Sequence, residues 1–433
     1  MKRTISVILL LTLTLSVLGT VVADGSPIMW KGTVCGDVQY QKSIEAVAVN
    51  DGRVYAGCSY RQLANSSGMI GIYYLGRLAA YSSNGTRLWE NDSGYVMGLY
   101  PLPDGRIIAG TVGGFVTFDG NGRFVSRNLT ANKLYDFQIE GSNVYAVDGD
   151  FFTDNGSVTY VGHLYRGEVT DDGVVLKGWV LNFTSLVSRV RVGRRIIYVG
   201  AGFPSGYVGP GQFGYVYGVL PNGTLSWTVK TGQWVRDMEL FENDVIAGTG
   251  EGTSEGYLYR IDPSGEVIWK KELFYTEDIE TADGRIYVGG MGKGHGVLAA
   301  VDPKTGSVLW NQSFPSRVKV VRYVNGTLLV GIGRFESRQQ NGTTVVYTQG
   351  SLYALDAKTG GILGVVKDIG YVRSIAVEGN VAVVGTASSN FYVIDIQKLA
   401  REGAEKKGIC GPAIVIGLAM IPLLLRGRRW TLR

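Results

Sequence analysis

The sequence predicts an all-β chain: an eight-bladed β-propeller of four-stranded antiparallel blades, with the ring closed by the N-terminal strand. Three observations carry this. The composition comes first: 63 glycines, 11 prolines and two histidines among 433 residues, in a chain rich in Val, Ile and Tyr, fit many short strands and tight turns. Second, one phrase recurs, as Gly52-Arg-Val-Tyr-Ala-Gly57, Gly105-Arg-Ile-Ile-Ala-Gly110 and Gly284-Arg-Ile-Tyr-Val-Gly289, with looser copies ending at Val147, Gly200, Gly248, Gly331 and Gly385. These eight markers lie 37 to 54 residues apart, the length of one four-stranded blade each. Third, a turn glycine is followed four residues later by tryptophan at Gly85/Trp89, Gly223/Trp227, Gly265/Trp269 and Gly306/Trp310.

Each part of the repeat has a physical task. The glycine reverses the chain at positive φ, and the tryptophan buries a large face between neighbouring blades. Neither phrase folds alone, because the core exists only between stacked units. The copy Ala300-Val-Asp302-Pro-Lys-Thr-Gly306-Ser-Val-Leu-Trp310 resembles the pyrroloquinoline-quinone-type propeller repeat, Ala-x-Asp-x-x-x-Gly-x-x-x-Trp. Ala354, Asp356 and Gly360 repeat it with Gly364 in the Trp position; Ser126 and Lys177 stand in that position elsewhere, and Asp262 to Gly265 is one residue short. The resemblance implies the fold, and no cofactor by itself. The last copy, residues 372–396, runs out before a fourth strand, and Ile28-Met-Trp30-Lys-Gly32 has the missing character. That strand is expected to complete the eighth blade and remove the open edge, making residues 24–397 one domain.

The ends of the chain point to export. Met1, Lys2 and Arg3 precede an apolar run and the small residues before Asp24, the order of a secretory signal over residues 1–23, cleaved or retained as an anchor. Ten Asn-x-Ser/Thr sequons, at Asn65, Asn84, Asn91, Asn128, Asn155, Asn182, Asn222, Asn311, Asn325 and Asn341, suit a glycosylated exterior, although turn chemistry also generates such tripeptides. A charged linker, 398–409, leads to Cys410-Gly-Pro412, an apolar run to Leu425, and Arg426, Arg428 and Arg429. As a helix the 14 residues Pro412 to Leu425 reach roughly 21 Å, short of a hydrocarbon core of about 30 Å. Residues 410–433 resemble the CGP-CTERM sorting signal of exported archaeal proteins of the Thermococcales. That resemblance implies anchoring at the cell-surface membrane with Cys410 as lipid attachment site, the alternative being a short tail anchor in which Cys410 is incidental.

Charge excludes one class of partner. The formal charge of +5 arises at the two ends; between Asp24 and Ala400 there are 33 basic and 35 acidic residues, which leaves no footprint for nucleic acid. Cys35 and Cys58 are the body's two cysteines. Strands two and four of a blade end on the same face, so these residues, after the closing strand and after strand two of the adjacent first blade, are either a disulfide that staples the ring or two free buried thiols.

Candidate sites converge on that face. Long loops between strands two and three are expected at about 59–75, 148–161, 201–212 and 332–348, carrying Tyr73, Tyr74, Phe151 and Tyr207 among polar residues. Twelve residues before the markers, one column reads Glu45, Gly98, Tyr135, Ser188, Arg236, Glu277, Lys319 and Arg373; the next reads Ala46, Leu99, Asp136, Arg189, Asp237, Asp278, Val320 and Ser374. These charges are expected to ring one mouth of the central channel, as a ligand site or as a solvated lattice of ion pairs. Catalytic material is thin. Two histidines, His163 and His295, leave no Ser-His-Asp set or His-rich metal site, and Asp237, Glu277 and Asp278 form a glycosidase pair only by column position. Asp148-Gly-Asp150-Phe-Phe-Thr-Asp154 lacks the spacing and terminal Glu of a calcium loop.

The expected function is therefore a monomeric, non-catalytic binding or scaffolding propeller engaging an extracellular glycan, peptide or envelope protein. A quinone- or metal-dependent surface enzyme, with pyrroloquinoline quinone or calcium as cofactor, is one alternative, and a structural envelope component is another. Against the enzyme, the chain has no vicinal cysteine pair and no Cys-x-x-Cys-His haem site.

Overall fold

The inner strand of the first blade, Lys42–Asn50, reads KSIEAVAVN and buries every second residue from Ile44 to Ala48, the period of a strand with one face on a neighbour. Repeated around a ring, that pattern gives eight antiparallel sheets: seven of four strands and one, in the third blade, of five. The computed structural model describes residues 25–401 apart from 39, 67–68, 156, 204–212, 253 and 341–342. The expected signal segment, the expected sorting tail with Cys410, and Tyr207 lie outside the described residues. Seven blades run in chain order over residues 42–92, 96–129, 133–183, 187–230, 235–273, 275–314 and 318–366. The eighth takes three strands from residues 372–395 and its fourth from Ile28–Thr33, with Trp30 opposite Val393 and Gly32 opposite Phe391. Closure by the N-terminal strand is as the sequence predicts.

The core is a set of slabs between blades. Eight apolar clusters each draw on two successive blades, such as Leu329 and Leu352 of the seventh with Val372 and Ile394 of the eighth. The marker glycines belong to this packing. A Cβ on Gly57 would come within 2.7 Å of Val96 in the next blade, and Gly200, Gly289 and Gly331 meet Val235, Val318 and Val372 in the same way. At each place the inner strand of the following blade lies against bare backbone.

The tryptophans link blades at the outer rim. Trp30, Trp89, Trp227, Trp269 and Trp310 each lie on the turn glycine of the next blade, at Gly85, Gly122, Gly265, Gly306 and Gly360. The indole N–H of four of them donates to a carbonyl of that turn, for example Trp269 to Pro303 at 2.9 Å. In the third blade the contact is made by Trp179, not at Lys177: Trp179 covers Gly223 and donates to Pro221 at 3.1 Å. The fourth strand there is split into Gly173–Val175 and Val180–Phe183, which moves the tryptophan two residues along. Gly364, in place of a tryptophan, faces a helical turn at 396–401, and a Cβ on it would lie 1.8 Å from the Leu399 carbonyl oxygen. Leu399 is fully buried and fills the seam between the seventh and eighth blades.

Cys35 and Cys58 are buried and disulfide-bonded, with Cα atoms 6.3 Å apart. The bond joins the segment after the closing strand to the first blade. No helix among the described residues is long and apolar enough to cross a membrane.

Candidate functional site

The expected long loops are β-hairpin arms in three blades. Pairing continues without interruption from Val54↔Tyr81 to Ser66↔Met69, from Asn143↔Glu168 to Asp154↔Ser157, and from Thr327↔Asp356 to Gln340↔Thr343. Two residues separate the last pair of each arm, and their sequences are Ser67-Gly68, Asn155-Gly156 and Asn341-Gly342, with Asn155 at φ 47°. Asn-Gly is a residue pair that two-residue hairpin turns favour, and it marks the third- and seventh-blade arms in the sequence. In the fourth blade the flanking strands end at Phe203 and resume at Phe213.

The arms leave apolar side chains in solvent. Leu63, Ile72, Tyr73, Phe152, Phe335, Val346 and Tyr347 are each 40–67% exposed. Tyr73 is among them, whereas Tyr74 turns inward, edge-on to Tyr95 at 5.7 Å and under the Arg61 guanidinium at 5.3 Å. Phe151 packs on Phe203 at 5.1 Å, beside Tyr160. The acidic run at the base of the third arm is engaged by protein. Buried Asp148 accepts from Asn132 N–H at 2.8 Å and from the Tyr165 hydroxyl at 2.7 Å and bonds His163 Nδ1 at 2.7 Å, while Asp150 pairs with Lys133. Among the described residues no three His, Cys, Asp or Glu side chains form a metal-binding group.

The channel mouth is built by a bulge in every inner strand. At one height in each blade the pairing of the first two strands shifts by one, leaving Glu45, Met97, Tyr135, Ser188, Arg236, Glu277, Lys319 and Arg373 bulged. A bulge re-aims the side chain it carries. The sequence columns matched this layer except in the second blade. There the connection between the first two strands is one residue longer, so Met97 and Gly98 take the places expected for Gly98 and Leu99.

The next layer holds blades together. Asp136, Asp237 and Asp278 accept the inner-edge N–H groups of Val190, Ile279 and Val321 in the following blade at 3.1, 2.8 and 2.7 Å. Arg189 reaches across to Asp237 at 3.2 Å. Arg189, Asp237 and Asp278 are thus inter-blade links. A third layer, three residues beyond the bulge, was not read from the sequence: Arg191, Glu239, Glu280 and Arg322, with Arg191 bridging Asp136 at 2.9 Å and Glu239 at 3.3 Å. Burial pushes Asp278 up to about 6 and Glu280 up to about 7.

At the bulge layer Glu277 is enclosed by cations. Its carboxylate accepts from Arg317 and Lys319 at 2.7 Å each and lies 3.5 Å from Arg236. Burial opposes its charge, but Lys319, Arg236 and Arg317 together hold it at about 2. Arg373 pairs with Glu45 at 2.9 Å. Arg317 escaped the sequence reading, and so did an aromatic collar at the same offset, two residues before the bulge: Tyr95, Trp234, Tyr275 and Tyr371. The Arg236 guanidinium lies 3.9 Å from the Trp234 ring centre and 5.1 Å from that of Tyr275. A cavity of about 500 Å³ opens beside Arg373 and Glu45, lined also by Lys42, Tyr60, Arg61, Leu63, Tyr95 and Phe335.

Comparison with known proteins agrees with this architecture. Residues 254–398 match the family model described as outer membrane protein assembly factor BamB. The fold is shared widely. BamB from Moraxella catarrhalis is similar with a TM-score of 0.56 at 15% identity, over 84% of this chain and 96% of that one. Sqt1 of Saccharomyces cerevisiae is similar with a TM-score of 0.60 at 10% identity, over 86% and 99%, and the Dos1 propeller at 0.52 and 10%, over 86% and 97%. No curated protein sequence matches the chain.

Proposed function

We propose that this chain is an exported binding or scaffolding propeller, held at the cell surface by its C-terminal tail, that engages an extracellular glycan, peptide or envelope partner through one face of the ring. The observation that carries this reading is the convergence of three features on that face. Apolar arms from the first, third and seventh blades, the bulged charge ring and the cavity beside Arg373 all meet there. Exposed apolar residues set among polar ones at such a place favour a partner surface. The match of residues 254–398 to a family model described as an assembly factor supports a role in which binding is the activity. Secretion rests on the basic and apolar order of residues 1–23, and attachment on the Cys410-Gly-Pro412 tail.

Glycan and peptide arrays probed with the purified body test the reading. Specific capture should weaken at least tenfold in Tyr73→Ala and Phe152→Ser variants, whose side chains are exposed on the arms and whose loss leaves the blades intact. Capture indifferent to both substitutions, or no capture at all, would refute it.

A further inference from the structure

The bulge layer of blades five to eight carries more positive charge than its own partners neutralise. Arg236, Arg317, Lys319 and Arg373 meet only Glu277 and Glu45 among the described residues. The two groups are neighbours: burial and the charges of Arg373 and Arg236 hold the Lys319 ammonium below its ordinary range, even though Glu277 opposes this. The Nε of Arg236 is buried with no hydrogen-bond partner. A donor left unsatisfied next to surplus cations is costly in a fold unless something completes it.

Geometry fixes these cations in advance. Trp234 and Tyr275 hold the Arg236 guanidinium, Tyr275 also supports Arg317 at 5.5 Å, and Tyr371 supports Arg373 at 5.2 Å. The adjoining cavity has about 500 Å³, within the usual small-molecule range of about 300–1,000 Å³. It adds Lys42 and Arg61, and its walls include Tyr60 and Tyr95. Preset guanidinium groups recognise oxyanions, and tyrosine walls present apolar area with a polar tip, a combination that suits a sugar ring bearing a carboxylate.

We propose that the cationic side of the channel mouth, Arg236, Arg317, Lys319 and Arg373 with the adjoining tyrosine-walled cavity, binds the carboxylates of an acidic glycan. This rests on the binding-propeller reading and names the ligand class of one part of its face. The opposite charge lies deeper in the channel, where Asp136, Asp237, Asp278, Glu239 and Glu280 outnumber Arg189, Arg191 and Arg322 and would repel the same ligand. The ligand is therefore held at the mouth and not threaded through.

Isothermal titration of the body with oligogalacturonate tests this, with a neutral galacto-oligosaccharide and pyrroloquinoline quinone as comparison probes. The acidic oligomer should bind at least tenfold more tightly than the neutral one, and added salt should weaken it. Arg317→Gln and Arg373→Gln should each weaken it at least tenfold, whereas Leu309→Ser, at an exposed position on the outer strand of the sixth blade, should leave it unchanged. No binding of the acidic oligomer, equal binding of the neutral one, indifference to Arg317→Gln, or binding of the quinone alone would overturn the proposal. Arm-dependent capture on arrays without oligogalacturonate binding removes this inference and leaves the broader reading standing; loss of both removes both.

Discussion

Glu277 shows how much one side chain can control in this molecule. It has 1% of its side chain exposed and is the common partner of Arg236, Arg317 and Lys319. Glu277→Gln should destabilise the body by about 3–5 kcal/mol at neutral pH, read by denaturant unfolding, because it strands buried cations without their counter-charge. Its carboxyl sits at about 2 in the fold against an ordinary 4.5, so its contribution is complete above pH 4.5 and is lost as pH falls towards 2. Glu280 behaves in the opposite sense. Burial raises it from 4.5 to about 7, so the folded state resists its ionisation: the penalty is absent below pH 4.5, grows through the interval and is complete above pH 7. Glu280→Gln should accordingly add about 1–3 kcal/mol of stability at pH 8 and nothing at pH 4. Unfolding curves at the two pH values check the sign, and an equal effect at both would show that the gain is not electrostatic.

Strands, turns and seams decide what was legible in the sequence. The blade count and the closing strand could be read because they depend on local chemistry repeated many times: a marker glycine wherever the next inner strand lies against bare backbone, and a tryptophan wherever an outer strand covers a turn. Where the repeat departs from its own spacing, reading by column failed. Trp179 replaces position 177 because the fourth strand is split, and Met97 replaces Gly98 because one connection is a residue longer. The arms were read as loops because their strands carry polar and aromatic residues on both faces, which removes the alternation that a buried strand shows; the Asn-Gly pairs were the surviving signal. Arg317 and the collar of Tyr95, Trp234, Tyr275 and Tyr371 stayed hidden, since only the bulge tells which residues share a height with the mouth. The Gly364 seam gives a test at this scale. Leu399→Ala should cost about 2–5 kcal/mol by emptying a fully buried site, and Gly364→Ala about 1–3 kcal/mol or more by forcing a Cβ onto the Leu399 backbone. Thermal unfolding reads both, and a neutral Leu399→Ala would show that residues 396–401 are no part of the cooperative body.

For the whole ring, closure is the property on which everything else depends. A linear stack of blades keeps two raw edges, whereas here the strand that completes the eighth blade is bonded through Cys35–Cys58 to the first. Reduction, or a Cys35→Ser, Cys58→Ser double variant, should lower stability by about 3 kcal/mol for a cross-link spanning 23 residues, measured by unfolding with and without reductant. The same closure has a mechanical side. If the chain is held by its tail as proposed, any pull arrives first at the Leu399 plug and then at the strand Asn390–Asp395, which is bonded along both edges, to Val381–Thr386 and to Ile28–Thr33. Drawing it out requires shearing two ladders at once. Beyond them the load passes through Ile28–Thr33 and the sulfur bridge into the first blade, so tension on the anchor is carried around the ring as through a closed hoop.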